Sequence, residues 1–175
     1  MLSTGCAERA AELVNADLTT TGSLAAVMAH RPWLAERAAA DDLGALRSVQ
    51  GELAALVDAP ADGQGAVVVE VLDRLRARNP LRPSVSARDE SRWPLPDNDE
   101  DATVGGTLTS EAMLGLMLLV TEVGATRLGR RVSPNCTRAY VDTGANRSSR
   151  FCRSRCSTRE NVAALRRRRA AGVHR

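Results

Sequence analysis

Residues 41–58 read DDLGALRSVQGELAALVD, and the apolar members Leu43, Leu46, Val49, Leu53, Leu56 and Val57 recur at three- and four-residue spacings. An α-helix turns once every 3.6 residues, so this spacing gathers them on one face and predicts a helix with a buried stripe. Asp41 is expected to cap its start, where the first helical N–H groups lack partners within the helix.

Working outward, residues 8–15 read as a short amphipathic helix carrying Ala11, Leu13 and Val14. Ser23 is expected as the N-cap of a helix over 24–30, and Pro32 stands where a first-turn proline opens one over 33–39. On the other side, a turn over 59–65 leads into a helix over 66–78 with Val67, Val68, Val71, Leu72 and Leu75 on one face, stopped by Asn79 and Pro80. Residues 81–106 are rich in Pro, Asp and Glu; 85–93 and 102–104 read as a short hairpin around an acidic loop over 97–101. Thr109 or Ser110, with Glu111, then opens the most apolar helix, over 112–125. Its Met113, Leu114, Met117 and Leu118 are expected to fill the centre, and Gly124 or Gly129 to end it.

The apolar residues are mostly Ala, Leu and Val, with one Tyr, one Phe and two Trp, a mixture that favours helices and argues against an all-β fold. A length of 175 residues suits one ordinary domain and a small appendage. The expected fold is mainly α: a helical N-terminal domain over 1–126 with a short β-hairpin, then a small zinc-finger-like module over 127–175 that ends in a basic helix. The longest apolar run, 112–120, is far short of the roughly 20 residues that cross a bilayer, and Glu8 and Glu12 stand where a signal peptide is apolar. The expectation is a soluble cytoplasmic protein with no membrane partner.

Charge divides the chain. Residues 1–126 hold 10 Arg against 19 Asp and Glu, a net −9, whereas residues 127–175 hold 14 Arg against Asp142 and Glu160, a net +12. A block this basic attracts polyanions. Every basic residue is Arg, a bias that codon usage explains as readily as function does, so the absence of Lys carries no weight.

Cys136, Cys152 and Cys156 have the spacing C-x15-C-x3-C, and a helix-like stretch over 160–171 follows. Two thiolates one turn apart at a helix start, with a third from an upstream knuckle, can converge on a tetrahedral zinc ion. The alternative, thiols buried in a miniature core, is weaker, because a segment of about 40 residues seldom folds on apolar burial alone. Tyr140 and Phe151, the only Tyr and Phe, are expected to supply that core. The fourth zinc position is open to water in the first instance, or to Ser133, Cys6 or His174; His30 reads as a helix-end residue.

Residues 135–169, NCTRAYVDTGANRSSRFCRSRCSTRENVAALRRRR, resemble the CGNR zinc-finger proteins, bacterial proteins in which a helical ABATE domain precedes a C-terminal finger. Asp142, Thr143, Asn146, Arg147, Ser148, Arg150, Phe151, Cys152, Cys156 and Arg159 occupy matching positions. Upstream, Glu-Leu-Val-Asn-Ala at 12–16 is similar to the Leu-Val-Asn-Thr entry of the ABATE domain, although Asn15 itself reads as a helix-end residue. The resemblance implies a stress-related transcription regulator. This chain departs from the pattern in three respects. Arg131 stands at the family's first ligand position, Cys-Ser-Thr-Arg replaces Cys-Gly-Asn-Arg, and Gly144, Ala145 and Ser149 replace more usual Ser and Arg residues. One zinc ion per chain, held more weakly than by four cysteines, is the expectation.

No phosphate-cradling glycine loop, dinucleotide fingerprint or Ser-His or Cys-His pair is recognisable, and only Glu160 lies near the cysteines as a candidate acid or base, so the reading is a binding protein rather than an enzyme. Arg147, Arg150, Arg153, Arg155, Arg159, Arg166, Arg167, Arg168 and Arg169 would form one positive face able to follow a phosphate backbone. Scarce aromatics argue against stacking on single strands, which favours duplex DNA. The N-terminal domain would then bind a small-molecule or protein partner. The competing reading is a protein-interaction module whose basic tail docks on an acidic protein surface without touching DNA.

Overall fold

A computed structural model of the chain describes residues 2–60, 63–81, 83–84, 95–96, 102–130 and 136–142. In chain order the elements are α1 (Leu2–Val14), α2 (Thr21–Val27), α3 (Pro32–Ala35), α4 (Ala40–Asp58), α5 (Gln64–Arg78), β1 (Pro83–Ser84), β2 (Leu95–Pro96), α6 (Val104–Val123), a 3-10 turn (Ala125–Arg127), β3 (Leu128–Arg130) and β4 (Ala139–Val141). The fold is mainly helical. Two short antiparallel ladders, β1 with β2 and β3 with β4, complete it.

All six apolar residues of the 41–58 stripe are buried, and α4 packs them against α1, α5 and α6. The most extensive packing is between α1 and α6, whose buried core residues include Ala7, Ala10, Ala11 and Leu13 on the first and Leu108, Ala112 and Met113 on the second. Small alanines on α1 let the two backbones approach closely.

The helix starts differ from the sequence expectation, each for a local reason. Helix α1 begins six residues before position 8. Thr20, not Ser23, caps α2: its hydroxyl accepts the Ser23 N–H at 3.0 Å, and the Ser23 hydroxyl accepts the Thr20 N–H at 3.1 Å. Ser23 is thus the third-position half of a reciprocal capping box. Pro32 does open α3, which stops at Ala35. At α4, Asp41 is exposed, and it is the buried Asp42 whose Oδ2 accepts the Ala39 N–H at 2.9 Å. The other oxygen of Asp42 accepts the N–H of Gly105 at 2.7 Å, in the first turn of α6. One carboxylate thereby serves the N-terminal ends of two helices.

Helix α6 starts at Val104, so residues 102–104 are not a strand. Thr103 is the cap, accepting the Gly106 N–H at 3.0 Å. Thr109 lies inside the helix, where its hydroxyl donates to the Gly105 carbonyl at 2.7 Å, the back-bond by which a buried threonine satisfies itself mid-helix. Of the four residues expected at the centre, Met113 is buried, Leu114 and Leu118 are half-buried and Met117 is exposed, while Leu116 and Leu119 take the interior positions. The expected segment 85–93 and the acidic loop over 97–101 lie outside the described residues; the pairing seen is Pro83 with Pro96 and Ser84 with Leu95. By length and composition the 104–122 stretch of α6 is apolar enough to span a membrane, yet 67% of its most apolar window is buried against the other helices. Gly124, at φ +90°, ends it in a conformation that side chains with a Cβ rarely adopt.

Leu128 of β3 and Ala139 of β4 belong to the same core as the helices. A fragment ending at 142 is therefore expected to melt several degrees above one ending at 126, both cooperatively. The burial of a leucine side chain alone contributes about 2 kcal/mol, and a domain of this size gains about 2–4 °C per kcal/mol. Equal melting midpoints by circular dichroism would show that the hairpin adds nothing to the helical core.

Candidate metal centre and nucleic-acid interface

The strands β3 and β4 are three residues each, too short to persist unaided, and side chains from the helices hold them in place. Their register sets Leu128 opposite Val141, Gly129 opposite Tyr140 and Arg130 opposite Ala139. Leu128 and Ala139 face the core. On the opposite face the Tyr140 ring lies over Gly129, so closely that a Cβ there would sit 3.1 Å from the phenol oxygen. Tyr140 is half-buried and packs on its cross-strand glycine; Phe151, its expected companion in a miniature core, lies outside the described residues.

Three side chains of the helical body grip the hairpin, two at its backbone and one at the Arg130 guanidinium. Asn15, just past the end of α1, accepts the Ala139 N–H through Oδ1 at 2.9 Å and donates through Nδ2 to the Ala139 carbonyl at 2.8 Å. The same amide nitrogen also donates to the Ala11 carbonyl at 2.7 Å. Buried Gln64, at the start of α5, donates to the carbonyls of Leu56 at 3.3 Å and Leu128 at 3.1 Å. Asp58, the last residue of α4, takes a two-pronged pair from Arg130, at 2.6 and 3.1 Å, and Arg130 also donates to the Thr137 carbonyl at 3.0 Å. The hydrogen bond to Asp58 raises Arg130 above its ordinary value, so this guanidinium stays charged at every accessible pH.

At the ends of the ladder, the Asp142 N–H donates to the Arg127 carbonyl at 2.7 Å, and the buried Asp142 carboxylate lies 4.0 Å from the Arg127 guanidinium. Two of the arginines of the basic half, Arg127 and Arg130, are thus directed toward carboxylates of the folded body rather than toward an external polyanion. Arg138 is exposed.

Cys136 sits in the connection between β3 and β4, half-buried and not in a disulfide. It is the one sequence-predicted metal ligand that the described residues include. Cys152 and Cys156 lie outside them, as do Arg131, Ser133 and His174 and the arginines 147, 150, 153, 155, 159 and 166–169; the Cys6 side chain is likewise not described. Among the described residues no three His, Cys, Asp or Glu side chains converge as a metal site. The donor chemistry nevertheless fits zinc. Cys136 is a thiol outside any disulfide on a hairpin pinned at several points, and the sequence supplies Cys152 and Cys156 as two further soft donors. When bound, zinc would cross-link those thiolates and so order the segment between them.

The buried carboxylates of the described residues are each committed. Asp42 is bound to two helix N-termini, Asp142 faces Arg127, and Glu111, expected as a helix-start residue, forms a two-pronged buried pair with Arg31. Sequence reasoning missed what Asn15 and Gln64 do. Asn15 was legible only as the last letter of Leu-Val-Asn, and its helix-end role is real but partial, since its amide also spans to β4.

Residues 127–169 match the family model for the CGNR zinc finger, a span that opens at Arg127 and takes in the whole hairpin together with all three cysteines. No curated protein matches the chain.

Proposed function

We propose that this chain is a transcription regulator that binds duplex DNA through a zinc-stabilised, Arg-rich C-terminal module, with an ABATE-like helical body acting as the sensing or partner-binding unit. The observation that carries the reading is the placement of the charge split. Of the net +12 of residues 127–175, +11 falls on 127–169, the stretch that matches the zinc-finger model, while residues 1–126 carry −9. Cys136, Cys152 and Cys156 would hold the metal. Arg147, Arg150, Arg153, Arg155, Arg159 and Arg166 to Arg169 would meet phosphates, with Arg147 and Arg159 the candidates to reach base edges as well.

An acidic body joined to a basic module is self-limiting in a useful way. Like charge on the body repels DNA and leaves only the module to approach it. The test is zinc content and duplex binding of the purified full chain. The expected result is about one zinc per chain and submicromolar binding to mixed-sequence duplex at low salt, weakening as salt rises and lost on chelation. Binding absent at low salt, with zinc present, would replace this reading by the protein-interaction module.

A further inference from the structure

We infer that Asn15 is the positioning residue through which the helical body and the metal centre sense each other. The inference rests on the zinc-binding part of the proposal above. In an antiparallel ladder, residues alternate between pairs that exchange backbone hydrogen bonds and pairs whose N–H and C=O groups point outward. The bond from the Asp142 N–H to the Arg127 carbonyl fixes that alternation. Gly129 with Tyr140 is then the bonded pair, and both backbone groups of Ala139 turn away from β3.

Ala139 is 2% exposed, so those two groups cannot be left to water. The Asn15 carboxamide takes both, acting as a one-residue third strand laid along the edge of β4 from a position 124 residues away in sequence. The same amide is bonded to Ala11, one turn back in α1. A continuous chain of hydrogen bonds thus runs from the last turn of α1 to β4. Cys136 stands three residues before Ala139, about 10 Å along an extended chain.

Fixing Cys136 by a metal therefore fixes β4, and β4 fixes the end of α1. Linkage makes the effect reciprocal: whatever loosens the α1 terminus weakens metal binding by the same factor. Because α1 lies along α6 over its length, a partner that shifts α1 reaches the metal centre by this route.

The experiment uses the full chain with zinc and with a chelator, zinc content being measured first. In the wild type, zinc is expected to slow amide exchange across residues 11–16, at and just past the end of α1, at least 10-fold and to raise the helical melting midpoint. Asn15→Ala is expected to retain one zinc per chain but to bind it about 10-fold more weakly in chelator competition, and to lose most of the zinc-induced change in α1. Asn15→Asp, which keeps the acceptor for Ala139 N–H but loses the donor to its carbonyl, should fall with Asn15→Ala. A wild type that holds no zinc would overturn the metal reading and this inference with it. A wild type that holds zinc while exchange in α1 is unchanged overturns the inference alone, and this arm needs no variant to fold.

Discussion

Glu111→Ala is expected to destabilise the chain by about 3–5 kcal/mol, the cost of leaving one member of a buried ion pair without its partner. The Arg31 and Glu111 side chains are 12% and 9% exposed and meet through two parallel hydrogen bonds, one of them 3.0 Å between Nη2 and Oε2. Arg31 directly precedes α3 and Glu111 lies on α6, so the pair fastens the α2–α3 corner to the central helix. Arg31 has little freedom to swing into water, because its Nε is also buried and makes no hydrogen bond. The loss corresponds to a melting midpoint lower by about 10 °C. Arg31→Met combined with Glu111→Leu should recover most of it, since an apolar pair of similar volume avoids the desolvation that the ions suffer. Urea denaturation of the three variants measures both effects. A Glu111→Ala chain within 1 kcal/mol of the wild type, a bound set by the small cost typical of exposed pairs, would show that the pair is solvated in solution.

Replacing Arg166, Arg167 and Arg168 by Gln is expected to weaken duplex binding across all sequences and to flatten its salt dependence. Each phosphate contact releases condensed counterions, so the log-log slope of affinity against salt changes by about 0.9 per contact on duplex DNA. Three lost contacts shift the slope by about 2.7, so over a fourfold rise in salt the wild type should lose about 40-fold more affinity than the variant. Arg147→Ala and Arg159→Ala, by contrast, should also alter sequence preference if they reach base edges. Arg127 and Arg130 offer an internal control, because their carboxylate partners already engage them. Fluorescence anisotropy at several salt concentrations reads all of this, and a triple variant with the wild-type slope would reduce the run 166–169 to a solvated tail.

Where a feature depends on spacing within a few turns, the sequence alone was enough to read it. The stripe of α4 and the inner face of α5 at Val68, Val71 and Leu75 are buried as their periodicity requires. In the stretch that matches the zinc-finger model, cysteine spacing and charge are likewise local, which is why they stand out before any fold is known. The phase of α6 was not legible, because a helix apolar on nearly every side offers no polar face to orient it, and Met117 looks no more superficial than Leu116. Its start was misplaced because Thr103, Thr109 and Ser110 are all competent caps, and only the contact of Gly105 with Asp42 decides among them. The contacts of Asn15, Gln64 and Glu111 were not legible for a shared reason. Their partners lie 124, 64 and 80 residues away, and a side chain's hydrogen-bonding capacity says nothing about which distant backbone or guanidinium will use it.

The carboxylate shared between α4 and α6 bears on the order of events as the chain folds. Asp42 and Gly105 are 63 residues apart, so the oxygen that serves α6 has no partner there until a long loop has closed. Helix α4 can flicker into existence on local propensity, with Asp42 holding Ala39, but α6 acquires its second N-terminal acceptor only on docking. Closing such a loop is slow compared with helix growth, which takes nanoseconds per residue. The first turn of α6 is therefore a late arrival, and changes at Gly105 should speed unfolding far more than they slow folding.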